Sequence, residues 1–326
     1  MLRADLVLVG LGNVARRFVS LVDERADRLR AEESLECQIV GRATRTEGAW
    51  FGKTPCADVF QLVERLSASD ADLRIVVETT TLNIQNGEPA ITHVRAGLAH
   101  GCHVVTANKG PVAFAYAQLR DEAARAGLAF LFEGAVMDGI PIFNLVRETM
   151  PVVDILGFEG VVNTTTNHII TALESGQAFE SALLEMQARG IAEADPSLDV
   201  DGWDAAAKTA ALANVLMDAR ITPHDVRRTG LDAATADAAR AALTRGHRLK
   251  LVASAARRPD RTVAATVALR ELPSDELLAT LAGDANALIL HTDLLNAVAI
   301  CQLSGNLTQT AYALLSDIVS IARRHR

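Results

Sequence analysis

Five short apolar runs, separated by helix-length segments, order the first 135 residues of this 326-residue chain. They are "DLVLVG" (5–10), "CQIVGR" (37–42), "LRIVVE" (73–78), "CHVVTA" (102–107) and "LAFLFE" (128–133). Each is apolar nearly throughout rather than alternating, which is the pattern of a parallel strand covered on both faces. Segments 13–30, 87–100 and 111–126 read as helices, with Pro111 suited to a first turn and Gly127 to a C-terminal stop. Strand–helix alternation of this kind predicts an α/β fold with a Rossmann-like doubly wound sheet.

The remainder has a different rhythm. A helix over about 139–149 leads to "DILGFEGVVN" (154–163), then helical stretches cover about 166–190 and 202–218. "HRLKLVASAAR" with "RTVAATVALREL", and "NALILHT" with "LLNAVAICQL", form two pairs of strand-like runs that predict antiparallel strands on one sheet, a surface on which two subunits can join. A last helix, about 306–324, closes the chain. The length exceeds one ordinary core, so two domains are expected: a dinucleotide-binding domain over 1–136, completed by the C-terminal helix 306–326, and an α+β substrate and dimerisation domain over 137–305. No repeat or linker-like stretch separates them.

Composition narrows the function. A net charge of −8 lacks the clustered positive surface that nucleic acid requires. Four scattered cysteines form no CxxC pair and read as reduced thiols of a cytoplasmic protein. No run is long and apolar enough to span a bilayer, and the first strand begins too early for a signal peptide. Of 32 basic residues only Lys53, Lys109, Lys208 and Lys250 are lysines, so each is a candidate for a task that an always-charged arginine cannot perform.

"VLVGLGNVARRF" sets Gly10, Gly12 and Ala15 in G-x-G-x-x-A spacing between the first strand and its helix. The first glycine allows a tight turn, the second lets backbone N–H groups approach a pyrophosphate, and the small third residue packs helix on strand. At the end of the second strand, "VGRATRTEG" offers Arg42 and Arg45 before any carboxylate, which favours the 2′-phosphate of NADP over the 2′-hydroxyl of NAD. Ligands of such sheets lie beyond the carboxyl ends of strands, where "ETTT" (78–81), "TANKG" (106–110) and "EGAVMDGIPI" (133–142) are found. Lys109 is thereby placed where a reactive ring would lie, or is a plain turn lysine.

Residues 190–213, "GIAEADPSLDVDGWDAAAKTAALA", gather Glu193, Asp195, Asp199, Asp201 and Asp204 ahead of Lys208. Asp204 and Lys208 are four apart and share a helix face. Asp201 can cap that helix, with Asp204 completing a capping box. Capping leaves Glu193, Asp195 and Asp199 unexplained, unless they are solvated or share a cation.

These segments together, in order and over nearly the whole chain, resemble the homoserine dehydrogenase family, in its short form without a regulatory domain. "GLGNVARRF" is similar to the cofactor loop and "VVTANKG" to the strand–Asn–Lys turn. "EGAVMDGIPI" is similar to E-A-x-V-G-x-G-I-P-I, and "GVVNTTTNHII" to the substrate loop G-I-x-N-G-T-T-N-Y-I-L. "AEADPSLDVDGWDAAAKTAALA" is similar to the family's long signature E-A-D-P-x-x-D-V-x-G-x-D-A-A-x-K-x-x-I-L-A. The resemblance implies NAD(P)-dependent interconversion of L-aspartate 4-semialdehyde and L-homoserine in a homodimer. Glu193 and Asp199, with Asn163 and Thr165, would hold the amino acid, Glu193 facing its ammonium. Asp204 would orient the reacting end, Lys208 would donate or accept the proton, and Lys109 would assist. Gly10, Gly12, Asn13, Val14, Arg42, Arg45, Thr79, Thr80, Lys109 and Gly305 would contact the nucleotide. A monovalent cation such as Na⁺ would sit largely on backbone oxygens of Glu133, Val136, Asp138 and Ile140.

The match departs from the family at three places. Thr164 replaces a glycine of the substrate loop, and a β-branched residue resists a positive-φ turn. Asp138 replaces a small residue beside the cation. The glycine-rich stretch before the last helix retains only Gly305. A shifted hydroxy amino-acid substrate and a silent nucleotide-binding homologue are the competing expectations. A simple hydroxy-acid dehydrogenase would want an arginine–histidine pattern that His93, His100, His103 and His168 do not form; His168, at a family tyrosine, is expected to be packed rather than catalytic.

Overall fold

The computed structural model describes residues 1–188 and 196–326 and divides into two compact units, 1–145 with 306–326, and 146–305. The division falls after Leu145 rather than at 136/137.

The first unit is built on a seven-stranded sheet in the order β4-β3-β2-β1-β5-β6-β7. Its strands are β1 (Leu2–Val9), β2 (Leu35–Thr44), β3 (Gly48–Phe51), β4 (Thr54–Cys56), β5 (Leu73–Glu78), β6 (His103–Thr106) and β7 (Phe130–Leu131). β2, β1, β5, β6 and β7 run parallel, whereas β3 and β4 add an antiparallel hairpin at one edge. Helices α1 (Asn13–Glu33), α2 (Val59–Ser67), α3 (Ala90–Ala99) and α4 (Lys109–Ala126) connect the strands. The chain's last helix, Leu307–His325, packs beside α1, and Leu6, Leu8, Phe18, Ile75, Leu314 and Ile318 share one fully buried core.

The run at 128–133 yields only two paired residues, because Glu133 turns out of the sheet. Its backbone N–H donates to Asp317 at 2.8 Å, and its carboxylate accepts the N–H groups of Ile142 (2.5 Å), Phe143 (3.0 Å) and Asn144 (2.6 Å). Those are the first donors of α5 (Phe143–Thr149), so the helix expected from 139 starts four residues later, after Gly139 at φ +78° and Pro141.

The second unit carries a six-stranded sheet, β13-β12-β8-β10-β11-β9. The strands are β8 (Ile155–Val161), β9 (Arg227–Arg228), β10 (His247–Arg257), β11 (Val263–Pro273), β12 (Asn286–Thr292) and β13 (Ala297–Gln302). Both sequence-predicted pairs form, and β8 lies between them, antiparallel to each. Helices α6 (Thr164–Glu174), α7 (Phe179–Ala188), α8 (Ser197–Val200), α9 (Trp203–Met217), α10 (Thr235–Thr244) and α11 (Leu277–Thr280) complete it. The stretch predicted as one helix over 166–190 breaks at Gly176, which takes φ +93°. The alanines of α9 are buried, and their small side chains let it lie close on β8, β10 and β11.

Close packing also fixes β8. A Cβ on Gly160 would stand 2.4 Å from the carbonyl oxygen of Ala287 on β12, a backbone atom that cannot step aside. Gly160→Ala is therefore expected to destabilise the protein by about 1–3 kcal/mol through overpacking. Urea denaturation checks this; an unchanged midpoint would show that the two strands have room to part.

Candidate active site

Each unit presents a cluster where a strand gives way to a helix. In the first, Gly10 (φ +94°) ends β1, and a Cβ there would fall 2.8 Å from the backbone of Thr79. Thr79 closes the same turn: its N–H donates to Val9 O at 2.8 Å and its hydroxyl to Gly10 O at 3.1 Å. Gly12 is the N-cap of α1, without a side-chain cap, and a Cβ on it would meet nothing within 4 Å. The helix thus starts with uncapped amides facing open space, with Asn13 exposed, Val14 half-buried and Ala15 packed down. This cradle fits the pyrophosphate of a dinucleotide.

Beneath the turn, Glu78 is fully buried and gathers three donors: the N–H of Thr80 (2.9 Å), its hydroxyl, and the hydroxyl of Thr106 (2.7 Å). Burial pushes its carboxyl up from the usual range, against these hydrogen bonds. Asn108 continues the network. Its amide donates to Thr80 O at 2.9 Å, and its oxygen caps α4 at Gly110 N, 2.8 Å, which fixes half-buried Lys109 as the first residue of that helix. Sequence reading used Thr79, Thr80 and Lys109 but missed Glu78 and Asn108; the signal available was a carboxylate closing an otherwise apolar strand.

Arg42 lies exposed at the end of β2, where it pairs with Glu47 at 3.6 Å across the hairpin that begins there. Arg45 is exposed in the turn between β2 and β3. Gly305 directly precedes Asn306, the N-cap of the last helix. In the loop expected to hold a cation, Val136 O accepts from Gly139 N and Met137 O from Ile140 N, and the Glu133 carboxylate caps α5. Met137, at the first glycine of the family pattern, and Asp138 both take left-handed φ, +48° and +51°. Among the described residues no group of three or more His, Cys, Asp or Glu side chains is placed to hold a metal.

In the second unit, Lys208 Nζ stands 2.9 Å from Asp204 Oδ2, one helical turn back, and donates to the carbonyl of Val162 at 2.6 Å. Both side chains are mostly buried, 15% and 16% exposed, so the pair is far less screened than a surface one. The Asn163 amide donates to Asp199 Oδ1 at 2.8 Å and to Asp204 Oδ2 at 2.9 Å. Asp199 is raised from the usual carboxylate range, first by burial and then by the Asp204 charge; Asn163, Lys208 and Thr165 oppose the shift. Asn163, Thr165, Asp199, Asp204 and Lys208 are thus brought together. Glu193 and Asp195 lie outside the described residues.

Two expectations are corrected here. Asp201 does not cap α9: Gly202 is its N-cap at φ +78°, and Asp201 ends α8, its carbonyl accepting from Arg228. The turn needs a left-handed residue, and the guanidinium of Arg228 stacking 3.6 Å over the Trp203 ring holds the helix start instead. Thr164 does not strain the substrate loop. It is the first residue of α6 with Asn163 as its cap, a position any residue can take, and its hydroxyl accepts from Asn286 at 3.0 Å. His168 pairs with Asp284 at 2.5 Å, a packed role.

The family model for homoserine dehydrogenase matches residues 141–319, and that for the NAD binding domain of homoserine dehydrogenase matches 10–133. The NAD(+)-dependent homoserine dehydrogenase of Pseudomonas canavaninivorans is 36% identical over 98% of this chain and 97% of its own. The chain belongs to the homoserine dehydrogenase family. The homoserine dehydrogenase of Methanocaldococcus jannaschii is 33% identical over 97% of this chain and 98% of its own. The crystal structure of a homoserine dehydrogenase from Thiobacillus denitrificans superposes with a TM-score of 0.87 at 29% identity, covering 99% of this chain and 74% of that one. As a homoserine dehydrogenase family member, the protein is an NAD(P)-dependent oxidoreductase.

The electrostatics of the family's acid–amine cluster can be read directly. Asp204→Asn removes the charge that repels the Asp199 carboxylate and is expected to lower the Asp199 titration midpoint. Asn163→Ala removes a hydrogen bond to the ionised form and is expected to raise it. Carboxyl carbon NMR titration follows both; shifts of the opposite sign would mean that Asp199 does not sense these neighbours.

Proposed function

We propose that the protein oxidises L-homoserine to L-aspartate 4-semialdehyde, and reduces the aldehyde in reverse, with NADP or NAD as the hydride partner. The observation that carries this reading is the Lys208 ammonium, held by Asp204 and the Val162 carbonyl beside a second carboxylate, Asp199. The nicotinamide supplies or takes the hydride when bound. Lys208 stabilises the alkoxide that aldehyde reduction creates and protonates it, a step open to an amine and closed to a guanidinium. Asp204 keeps that amine charged and aimed. Asp199, with Glu193, Asn163 and Thr165, binds the amino acid, whose ammonium relieves the repulsion between the acids. Lys109, fixed by Asn108 at the start of α4, assists as a second amine.

Arg42 and Arg45 support NADP, whose 2′-phosphate would take the place of Glu47 on Arg42. The Arg42–Glu47 pair also supports a second reading, NAD, since it leaves the arginine partnered without any phosphate; a relative 36% identical is an NAD(+)-dependent homoserine dehydrogenase. A monovalent cation on backbone oxygens of Glu133, Val136, Asp138 and Ile140 fits a loop with left-handed φ at Met137, Asp138 and Gly139, because a carbonyl in one hydrogen bond keeps a second lone pair. A homodimer is supported by the second sheet. Ile289 on β12 pairs with Ala299 and Glu159, which sit half-buried or exposed, while Leu288 and Leu290 on the opposite face are fully buried. No helix of the described residues is long and apolar enough to cross a membrane.

Homoserine-dependent reduction of NADP or NAD, followed by absorbance at alkaline pH, tests the reaction. Lys208→Ala is expected to lower kcat by roughly 10²- to 10⁴-fold. Turnover that survives the substitution removes Lys208 from its role, and turnover only with another hydroxy amino acid reassigns the substrate. In the same assay Arg42→Ala is expected to raise KM for NADP about tenfold or more while leaving KM for NAD within a factor of about two; equal effects on the two would show that Arg42 does not read the 2′ position.

A further inference from the structure

Of the chain's four lysines, exposed Lys53 and buried Lys250 have no part in the chemistry above. Lys250, in the middle of β10, is 1% exposed, among the largest fully buried side chains of the molecule. Its Nζ donates to Asn167 Oδ1 at 2.9 Å and to the carbonyl of Leu281. Asn167 is itself 1% exposed, and its own amide group donates to the carbonyls of Gly283 and Ala285, both at 3.3 Å. Strand β10, helix α6 and the segment 281–285 therefore meet at two buried side chains.

Helix α6 also begins at the acid–amine cluster. Asn167 is one turn beyond Asn163, and its N–H donates to Asn163 O at 3.2 Å. Asn163 bridges Asp199 to Asp204, and the residue before it, Val162, supplies the carbonyl that Lys208 holds. A rotation or slide of α6 by a fraction of a turn would move Asn163 and Val162 together. We propose that Lys250 is a positioning residue for the proton-transferring pair, locking α6 through Asn167 so that Asn163 and the Val162 carbonyl hold Asp204 and Lys208 in register. This rests on the reading of Lys208 as proton donor.

The chemistry of the site suits a lysine. Burial of an ammonium is costly unless its protons are accepted, and here two uncharged oxygens accept two of the three. Burial lowers the Lys250 amine to about 8, while Glu174 of α6 and Arg248 of β10, paired with each other, act on it in opposite directions. Protonated or neutral, an amine still donates to both oxygens, so the lock does not depend on its charge. A guanidinium would be bulkier and could not shed its charge.

The test uses the full-length protein with homoserine as substrate, after Lys208→Ala has established that turnover depends on Lys208. Lys250→Met keeps the length and removes both hydrogen bonds of the amine; Asn167→Ala removes the link between Lys250 and α6 together with the Asn167 bonds to Gly283 and Ala285. Each is expected to lower kcat roughly tenfold, with KM for the dinucleotide unchanged and the pH profile of kcat displaced, because the Asp204–Lys208 geometry has loosened. The double variant should lose no more than the worse single one. Val252→Ala, a cavity at another buried position of β10, is the control expected to lower Tm without moving the profile. The inference is overturned if Lys250→Met and Asn167→Ala lower Tm while kcat and its pH profile stay wild type, or if Val252→Ala reproduces their kinetics. Should Lys250→Met not fold, Asn167→Ala decides alone by the same readings.

Discussion

The amide of Asn163 joins two carboxylates that would otherwise repel one another, and the second site is organised around it. Its two amide protons go one each to Asp199 and Asp204, while its oxygen accepts the N–H of Thr166 at 2.8 Å and the Thr166 hydroxyl at 3.0 Å. Turned over, the group would set its NH₂ against an N–H and its oxygen against two acids, so the orientation is determined by the partners. An aspartate here would add a third negative charge, and a serine would reach neither acid along with the cap. Two neighbouring carboxylates remain, Asp199 raised by burial and by the Asp204 charge.

The first unit solves the converse problem. There a buried acid, Glu78, collects donors from two strand ends, whereas Asn163 is a donor that collects acids. Asn163 sits where β8 passes into α6, and the helix start supplies an orphan N–H that anchors it, whereas Glu78 ends β5 before a loop and takes its one backbone N–H from Thr80. Asn108 caps α4 after β6, Asn163 caps α6 after β8, and Gly12 caps α1 after β1 with no side chain at all. The uncapped case is the one suited to a phosphate, because nothing in the protein has already claimed its amides. The two capped cases hold a lysine or a pair of acids in place. The same local device thus serves an anion cradle and two amine sites, and what distinguishes them is whether the cap carries a side chain.

How much of this could be read from the sequence follows from the range of the interactions involved. The parallel strands were legible because burial on both faces leaves an unbroken apolar run, and the antiparallel pairs because the two strands of each pair follow one another closely in the chain. β3, β4 and β9 were not, since two to four residues are too few to show a period, and the end of the 128–133 run was overestimated because the tertiary demand of Glu133 outweighs its apolar pattern. Asp204 and Lys208 were legible because a helical turn is a local relation. That Asn163 would bind Asp199 and Asp204 was not, since those contacts close 36 and 41 residues of chain and depend on where α8 and α9 pack. Asp201 misled because its spacing suits a cap; only the left-handed turn at Gly202 shows that the backbone takes another path.

The scarcity of lysine was a weak compositional hint, and the structure sorts it residue by residue. Lys53 is exposed in the turn between β3 and β4, where nothing distinguishes it from an arginine. Lys208 sits mostly buried between a carboxylate and a carbonyl, and the proton transfer proposed for it is closed to a guanidinium. Lys250 is fully buried, and burial lowers its amine to about 8, a shift that would not neutralise a guanidinium. Lys109 is half-buried at the first position of α4, held there by the Asn108 cap. A count of four thus divides into one exposed residue and three constrained by their surroundings. The division follows burial: the more of the side chain the protein encloses, the more the difference between a point-like amine and a planar, permanently charged fork decides which of the two can be accommodated.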